Sequence, residues 1–196
     1  YSDGAIVSHT VNIIGMGESS VAEEIEDMFD AKNPTVAPYA KSGEVRLRIT
    51  AKAETADEAD KMCAPVVDEI CSRLGDVVYG TDMNSIEERV VALLKEKGKK
   101  IATAESCTAG YIPKRLTDIP GASEVFECGI VSYSNDIKTK LLGVSPKTLE
   151  TYGAVSEQTA REMALGAKHV SGADIAISTT GLAGPGGDGV LPGGLS

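Results

Sequence analysis

The chain contains no tryptophan, only two phenylalanines and only two histidines among its 196 residues. A core must therefore be built from aliphatic side chains, and the hydrophobic fraction of 42% is ordinary for a globular protein. No apolar run approaches the roughly 20 residues that a membrane-spanning helix requires. No secretory signal is visible. Because the chain starts at Tyr1 rather than at a methionine, we expect it to be cut from a longer polypeptide.

Cysteine is also scarce. The four cysteines are Cys63, Cys71, Cys107 and Cys128, and no two of them form a CxxC pair. With only two histidines besides, the sequence lacks the ligand spacing of a zinc site. We therefore expect reduced thiols in a cytoplasmic protein that uses neither a metal ion nor another cofactor.

Positive charge is scarce in the first part of the chain. Residues 1–82 hold 7 lysines and arginines against 16 aspartates and glutamates, so this part carries −9 of the total net charge of −10. A surface of this charge repels the phosphates of a nucleic acid. The composition therefore argues against nucleic-acid binding by residues 1–82.

The order of predicted elements changes near residue 83. The first part reads as a small α+β unit with strands at 9–16 and 44–53, helices at 18–30 and 55–74, a proline-containing loop at 33–38 and a linker at 79–84. The second part alternates strands at 101–104, 126–133 and 173–180 with helices at 85–97, 108–116, 137–142 and 156–170. This alternation predicts an α/β domain at 83–196, with helices layered on both faces of a mostly parallel sheet.

The first segment that could carry chemistry is TAESCTAG at 103–110, where a strand ends and a helix begins. Ser106 would lie near the helix N-terminus, where free backbone N–H groups favour negative charge and can form an oxyanion hole. The alternative is that Ser106 or Thr108 only caps the helix. Cys107 is a rival nucleophile, but the sequence near it offers no histidine to activate a thiol. Glu105 either orients a donor or is solvated.

The second segment is VSYSNDIK at 131–138. Tyr133 ends the predicted strand, and Lys138 lies one turn into the next helix. A desolvated lysine has a lowered pKa and can take a proton from a serine, and a tyrosine hydroxyl can relay that proton. Because no Ser/His/Asp pattern is available, a Ser–Lys or Ser–Tyr–Lys arrangement is the main route to a nucleophilic serine. The alternative is a surface lysine beside a half-buried tyrosine.

The third segment, TTGLAGPGGDG at 179–189, follows a strand and is rich in glycine. Glycines allow the backbone to approach a ligand closely and can present N–H groups to a phosphate. No GK[ST] follows, so this is not a Walker A loop, and the alternative is an ordinary surface loop. All three segments lie where a predicted strand ends, which is where open α/β sheets bind ligands.

Five blocks of the second half closely resemble the C-terminal domain of the CinA (competence/damage-inducible) family. They are TAESCTAG at 103–110, LTDIPGAS at 116–123, GIVSYSNDIK at 129–138, GAVSE at 153–157 and TTGLAGPGG at 179–187. In the first half, GMGESSVAEEI, NPTVAPYAKSGEVRLRITAKA and LGDVVYG resemble the small KH-like middle domain of full-length members. The resemblance covers nearly the whole chain. Ala109 departs from it, because many members have glycine there.

The resemblance implies that residues 83–196 hydrolyse the carboxamide of nicotinamide mononucleotide to nicotinate mononucleotide and ammonia, without a metal ion. It assigns the catalytic roles to Ser106, Tyr133 and Lys138. Substrate binding is expected from Glu105, Cys107, Thr108, Thr179, Thr180, Gly181, Gly184 and Gly186, with the last five holding the ribose or phosphate. The family continues past the glycine loop with further strands, so we expect this domain to be truncated. We further expect a homo-oligomer without membrane contact.

The alternative function is a non-enzymatic binding or assembly module that acts on RNA through the KH-like half. A KH domain clamps backbone nucleotides with a GXXG loop. Residues 1–82 show no such loop with basic flanks, and their net charge opposes the contact. The sequence therefore favours the enzyme.

Overall fold

The computed structural model describes residues 4–41 and 43–182, and the backbone alone at Lys41. The chain divides into two compact units, Tyr1–Arg89 and Val90–Ser196. Each unit has its own hydrophobic core. Within the described ranges, no helix combines the length and the apolar character needed to cross a membrane.

The first unit is a four-stranded antiparallel sheet with helices on one face. Its elements are β1 (Ala5–Ile14), α1 (Glu18–Glu24), a 3-10 helix (Glu26–Met28), β2 (Thr35–Lys41), β3 (Glu44–Ala53), α2 (Ala56–Leu74), a second 3-10 helix (Gly75–Val77) and β4 (Val78–Thr81). The strands are ordered β2-β3-β1-β4. Alternate residues of β1 and β3 point inward, and Val11, Leu47 and Ile49 are fully buried with Ile70 of α2.

Two strands of this sheet were not predicted. β2 contains Pro38, and proline normally signals a loop because it has no N–H for the strand ladder. Since β2 is an edge strand paired only with β3, Pro38 needs no second partner. β4 is only four residues long and was read as linker. The capping box of α2 is confirmed: Thr55 Oγ1 accepts the Glu58 N–H, and the Glu58 carboxylate accepts the Thr55 N–H.

The second unit has the predicted α/β architecture. After α3 (Ile86–Glu96), which begins before the division, it contains β5 (Ile101–Glu105), α4 (Tyr111–Thr117), a 3-10 helix (Ala122–Glu124), β6 (Phe126–Val131), α5 (Asn135–Leu142), α6 (Pro146–Tyr152), α7 (Glu157–Ser171) and β7 (Ile175–Thr179). The three described strands are all parallel and ordered β6-β5-β7. α6 was not predicted.

Helices cover both faces of β5, whose five residues are all buried. On one face Ala102 and Ala104 pack in a cluster with Leu142 of α5 and Met163 of α7. On the other face Ile101 packs in a cluster that includes residues of α3 and α4. The small alanine side chains let α5 and α7 come close to the strand, which brings α5 to the edge where β5 ends.

α5 and α7 touch at a glycine. A Cβ added to Gly166 of α7 would lie 2.0 Å from the backbone oxygen of Leu142, the last residue of α5. No other residue type fits at this distance, because a backbone oxygen cannot move aside as the tip of a side chain can. The packing of α5 on α7 therefore depends on Gly166.

Candidate active site

The described parts of the three segments singled out in the sequence, 103–110, 131–138 and 179–182, lie at one edge of the parallel sheet. Glu105, the last residue of β5, pairs in register with Val131 of β6 and Thr179 of β7. Parallel strands present their carboxyl ends at the same edge, so the residues that follow all three strands are neighbours. The Ser106 N–H donates to the Thr179 carbonyl at 3.0 Å, and the Ser132 N–H donates to the Glu105 carbonyl at 2.8 Å.

The structure brings Ser106 and Lys138 together. α5 begins after Ser134, whose hydroxyl accepts the Ile137 N–H as an N-cap, and this cap places Lys138 one turn into the helix. The Lys138 side chain is only 1% exposed and Ser106 is 7% exposed. Lys138 Nζ lies 3.0 Å from Ser106 Oγ, which is the geometry of a nucleophile beside its base.

Two backbone carbonyls of the described residues also bond the amine. Lys138 Nζ donates to the Ser132 oxygen at 2.8 Å and to the Tyr133 oxygen at 3.2 Å. A neutral amine has two hydrogens and one lone pair, so with the two carbonyls occupied by hydrogens the lone pair is left for the Ser106 hydroxyl. The arrangement therefore suits an amine that accepts a proton from serine. The sequence did not indicate Ser132, since its contribution is a carbonyl that every residue type carries.

Burial lowers the pKa of Lys138, because taking an ammonium out of water disfavours the charged form. The nearby Cys107 side chain acts in the opposite direction and raises the Lys138 pKa by the smaller amount. The net shift is downward from the ordinary value of 10.5. A lysine with a lowered pKa is neutral in a larger fraction of molecules near neutral pH, as a general base must be.

The segment after Ser106 is a tight turn, so the prediction that the helix starts at Thr108 is wrong. The Ala109 N–H donates to the Ser106 carbonyl at 3.2 Å, and the Tyr111 N–H donates to the Thr108 carbonyl at 3.0 Å. Ala109 and Gly110 both have left-handed backbone, with φ of 49° and 97°. Left-handed backbone favours glycine, so the expected glycine at position 109 would adopt this conformation without strain.

Among the described residues, this turn leaves two backbone N–H groups without an acceptor near Ser106. In the described part of the chain, the N–H groups of Cys107 and Thr108 have no acceptor, whereas the Ser106 N–H is bonded to Thr179. Free N–H groups immediately after a nucleophilic serine are the usual donors of an oxyanion hole. The turn, rather than the end of a helix, provides them here.

The predicted ligand-binding threonines hold the site together. Thr108 Oγ1 lies 2.6 Å from Thr179 Oγ1, and Thr180 Oγ1 donates to the Ala154 carbonyl at 2.7 Å. These bonds join the turn to the end of β7, and β7 to the loop before α7. Gly181 follows directly and is partly exposed. The predicted residues Gly184 and Gly186 lie outside the described residues.

Tyr133 contributes to the site through its backbone. Its carbonyl accepts from Lys138, but its side chain is 76% exposed. The Tyr133 hydroxyl makes no hydrogen bond to any residue that the structure describes. The structure therefore places the tyrosine beside the pair without joining its hydroxyl to it.

Glu105 points away from Ser106. Its side chain is 1% exposed, and Oε2 accepts the N–H of Ile112 in the first turn of α4 at 3.2 Å. Its other oxygen, Oε1, is buried without a hydrogen-bond partner among the described residues. The sequence predicted a substrate-binding residue, whereas the structure places the carboxyl group under α4.

No three or more histidine, cysteine, aspartate and glutamate side chains of the described residues are grouped so that they could hold a metal ion. All four cysteines are free thiols. Lys138 lies near enough to Cys107 for the thiol to affect its pKa. No described histidine makes a hydrogen bond to this thiol.

Two family models match the chain. Residues 83–196 match the CinA C-terminal domain, and residues 8–80 match the damage-inducible protein CinA KH domain. The chain is also similar to CinA-like proteins of Desulfovibrio desulfuricans, at 50% identity over 185 residues, and of Dictyoglomus turgidum, at 48% over 186 residues. These alignments cover 94% of this chain but only 44% and 45% of those proteins, so the chain spans less than half of their length.

Solved structures show the same similarity. The competence/damage inducible protein CihA from Agrobacterium tumefaciens matches with 46% identity and a TM-score of 0.54, over 55% of this chain and 66% of that one. A CinA superfamily protein from Klebsiella pneumoniae matches with 37% identity and a TM-score of 0.54, over 56% of this chain and 69% of that one.

Proposed function

The chain belongs to the CinA family, and we propose that its second unit is a serine amidohydrolase that converts nicotinamide mononucleotide and water into nicotinate mononucleotide and ammonia. The observation that carries the chemistry is the buried Lys138 amine at 3.0 Å from the Ser106 hydroxyl. The substrate is taken from the family resemblance, since the names of the relatives state no substrate.

The first step is attack by Ser106. Lys138 accepts the hydroxyl proton, and the serine oxygen forms a bond to the carboxamide carbon of the substrate. The negative charge moves to the former carbonyl oxygen, where the free N–H groups of Cys107 and Thr108 stabilise it. Pre-positioned donors of this kind act without reorganisation at the moment of reaction.

The second step releases ammonia. The Lys138 ammonium gives its proton to the amide nitrogen as the carbon–nitrogen bond breaks, which leaves an ester between the nicotinate carbonyl and Ser106. Lys138 is neutral again and takes a proton from a water molecule, whose oxygen attacks the ester carbon. Collapse of this second intermediate returns a proton to the Ser106 oxygen and frees the acid.

Serine is preferred to its neighbour Cys107 on geometric grounds. The Ser106 oxygen has a hydrogen bond to a neutralisable amine, whereas no described histidine bonds the Cys107 sulfur. The cysteine acts on the site electrostatically, through its effect on the pKa of Lys138. It also carries one of the two free backbone N–H groups.

The test is ammonia release from nicotinamide mononucleotide by the longest form of the protein that contains this chain. Ser106→Ala should lower kcat by about a thousandfold or more, because the covalent route is lost. Cys107→Ala keeps the backbone N–H and should retain activity within about fivefold. Nicotinamide without the ribose phosphate is the control substrate for nucleotide recognition.

Two results would overturn the proposal. Wild-type protein that releases no ammonia from the mononucleotide rules out this substrate. An active Ser106→Ala variant combined with an inactive, folded Cys107→Ala variant identifies a thiol amidase instead. Circular dichroism of each variant separates loss of chemistry from loss of fold.

A further inference from the structure

The carboxyl group of Glu105 is buried at a cost in folding free energy, and the proposed mechanism gives it no role. Glu105 is the last residue of the central strand β5 and the immediate neighbour of Ser106, and its carboxyl group is almost fully buried. One carboxyl oxygen has no partner among the described residues. A buried polar group without full hydrogen bonding disfavours folding, so a role in stability alone accounts poorly for a carboxyl group here.

The one hydrogen bond that the described residues give the carboxyl group caps α4 from the strand that precedes it, β5. Helices usually begin with a side chain at the N-cap that accepts the N–H of the second or third helical residue. The N-cap of α4 is Gly110, which has no side chain, and the third residue is Pro113, which has no N–H. Ile112 is the second residue, and Glu105 accepts its N–H.

Glu105 therefore holds both ends of the turn that follows it. Its backbone starts the turn and is anchored in the sheet, because the Glu105 carbonyl accepts the Ser132 N–H. Its side chain binds the helix that ends the turn. Between these anchors lie the left-handed residues Ala109 and Gly110. At Ala109, which is not a glycine, such backbone persists only where the surroundings enforce it.

We propose that Glu105 is a positioning residue for amide hydrolysis, because its carboxyl group caps α4 from β5 and so holds the Cys107 and Thr108 N–H groups in place for the oxyanion. This inference rests on the proposed function. Glu105 makes no contact with the reacting atoms. It acts through the shape of the turn, and its effect belongs to the transition state rather than to binding of the substrate.

The test compares Glu105→Met, which keeps the volume but removes the acceptor, with Glu105→Gln, which keeps an oxygen for the Ile112 N–H. Loss of oxyanion donors typically costs a hundredfold or more, so Glu105→Met should lower kcat by about 100-fold with KM changed by less than about threefold. Glu105→Gln should restore kcat to within about tenfold of wild type.

Thr103→Val is the matched control. Thr103 lies two residues earlier on the same face of β5, is fully buried, and also has a hydroxyl without a partner in the described structure. It makes no bond to α4, so its replacement should leave kcat within about threefold. Equal losses of kcat in Thr103→Val and Glu105→Met would show a general packing effect and overturn the inference, as would full activity of Glu105→Met.

Backbone amide exchange gives a readout that is independent of activity. Exchange at Ile112 should accelerate in Glu105→Met and stay unchanged in Thr103→Val. Unchanged exchange at Ile112 in Glu105→Met overturns the positioning role even if activity is lost. Wild-type protein without ammonia release overturns the proposed function instead, and the exchange comparison still decides whether Glu105 holds the turn.

Discussion

The hydroxyl oxygens of Thr108 and Thr179 lie 2.6 Å apart, although 71 positions separate the two residues in the chain. One stands in the turn after the nucleophile and the other ends β7. Together with the bond from the Ser106 N–H to the Thr179 carbonyl, this contact fastens the turn to the neighbouring strand. The turn after Ser106 is thus held from β7 as well as from α4.

Removing the hydroxyl of Thr108 or of Thr179 should lower the stability of the second unit, because the hydrogen bond between the two hydroxyls is lost. Thr108→Val or Thr179→Val leaves the other hydroxyl half-buried without its partner, and each should lower the free energy of unfolding by about 1 kcal/mol. The double variant should lose less than the sum, with a coupling of about 0.5–1 kcal/mol. Urea unfolding of the four proteins measures the cycle. Strictly additive losses would show that the two hydroxyls do not interact.

The lowered pKa of Lys138 predicts that activity and stability both rise with pH. Catalysis needs the neutral amine, so kcat should rise with pH and level off below the ordinary lysine value of 10.5. Below 10.5 the unfolded chain holds this proton more tightly than the folded chain. Lys138 therefore destabilises the fold at low pH, and stability should rise with pH between the folded pKa and 10.5.

Comparison of wild type with Lys138→Met isolates the contribution of Lys138 from that of other groups that titrate in the same pH range. The kcat of Lys138→Met should fall at least about 100-fold at every pH. The difference in unfolding free energy between wild type and Lys138→Met should change in favour of wild type as the pH approaches 10.5. A difference that is flat with pH would show that the lysine has the same pKa in the folded and unfolded chains.

Gly166→Ala should displace α7 from α5. The added Cβ would lie 2.0 Å from the Leu142 oxygen, and the strain of separating two helices typically costs about 1–3 kcal/mol or more. Since Lys138 lies one turn before Leu142, kcat should fall as well. Gly17→Ala is the control, because an added Cβ there meets no atom within 4 Å. Thermal unfolding of both variants compares the effects, and equal stability would contradict the close contact.

The first unit should lose stability as the pH rises past the histidine range. His9 donates to Asp82 and Asp60 at 2.6 and 2.8 Å, and these hydrogen bonds raise its pKa above 6.5, with Asp82 contributing most. The resulting stabilisation is complete below pH 6.5 and is lost as the pH rises through the raised folded value. Both aspartates are half-exposed, so the effect should be about 1 kcal/mol or less.

Amide exchange in β1, measured from pH 6 to pH 9 and corrected for the intrinsic rates, gives this local stability. His9→Gln should remove the pH dependence while keeping a polar side chain at the position. An identical pH profile in His9→Gln would assign the dependence to another group.

Much of the fold follows from local signals in the sequence. The Thr55–Glu58 capping box and the alternation in β3 predicted both elements correctly, because each depends on neighbouring residues alone. β2 was missed because proline is tolerated only in an edge strand, and the strand order that puts β2 at the edge cannot be seen in the local sequence. The start of α4 was placed too early because an alanine at position 109 gives no warning of left-handed backbone.

From the sequence, only the location of the site at one edge of the parallel sheet could be predicted. The positions of the three segments after three strands predicted a ligand-binding edge, and the described parts of the segments lie at one edge of the sheet. The 3.0 Å contact between Ser106 and Lys138 depends on packing between residues 32 apart, which no local pattern encodes. The role of the Ser132 and Tyr133 carbonyls was equally hidden, because the backbone of every residue is alike.

Those two carbonyls hold the Lys138 amine through backbone atoms that every residue type carries. Substituting Tyr133, whose side chain is exposed, leaves its oxygen in place, so side-chain changes there are tolerated as far as the lysine is concerned. What the site cannot tolerate is a change in chain length. One residue inserted or deleted in α5 between its start at Asn135 and Lys138 would rotate Lys138 by about 100° around the helix axis and away from Ser106.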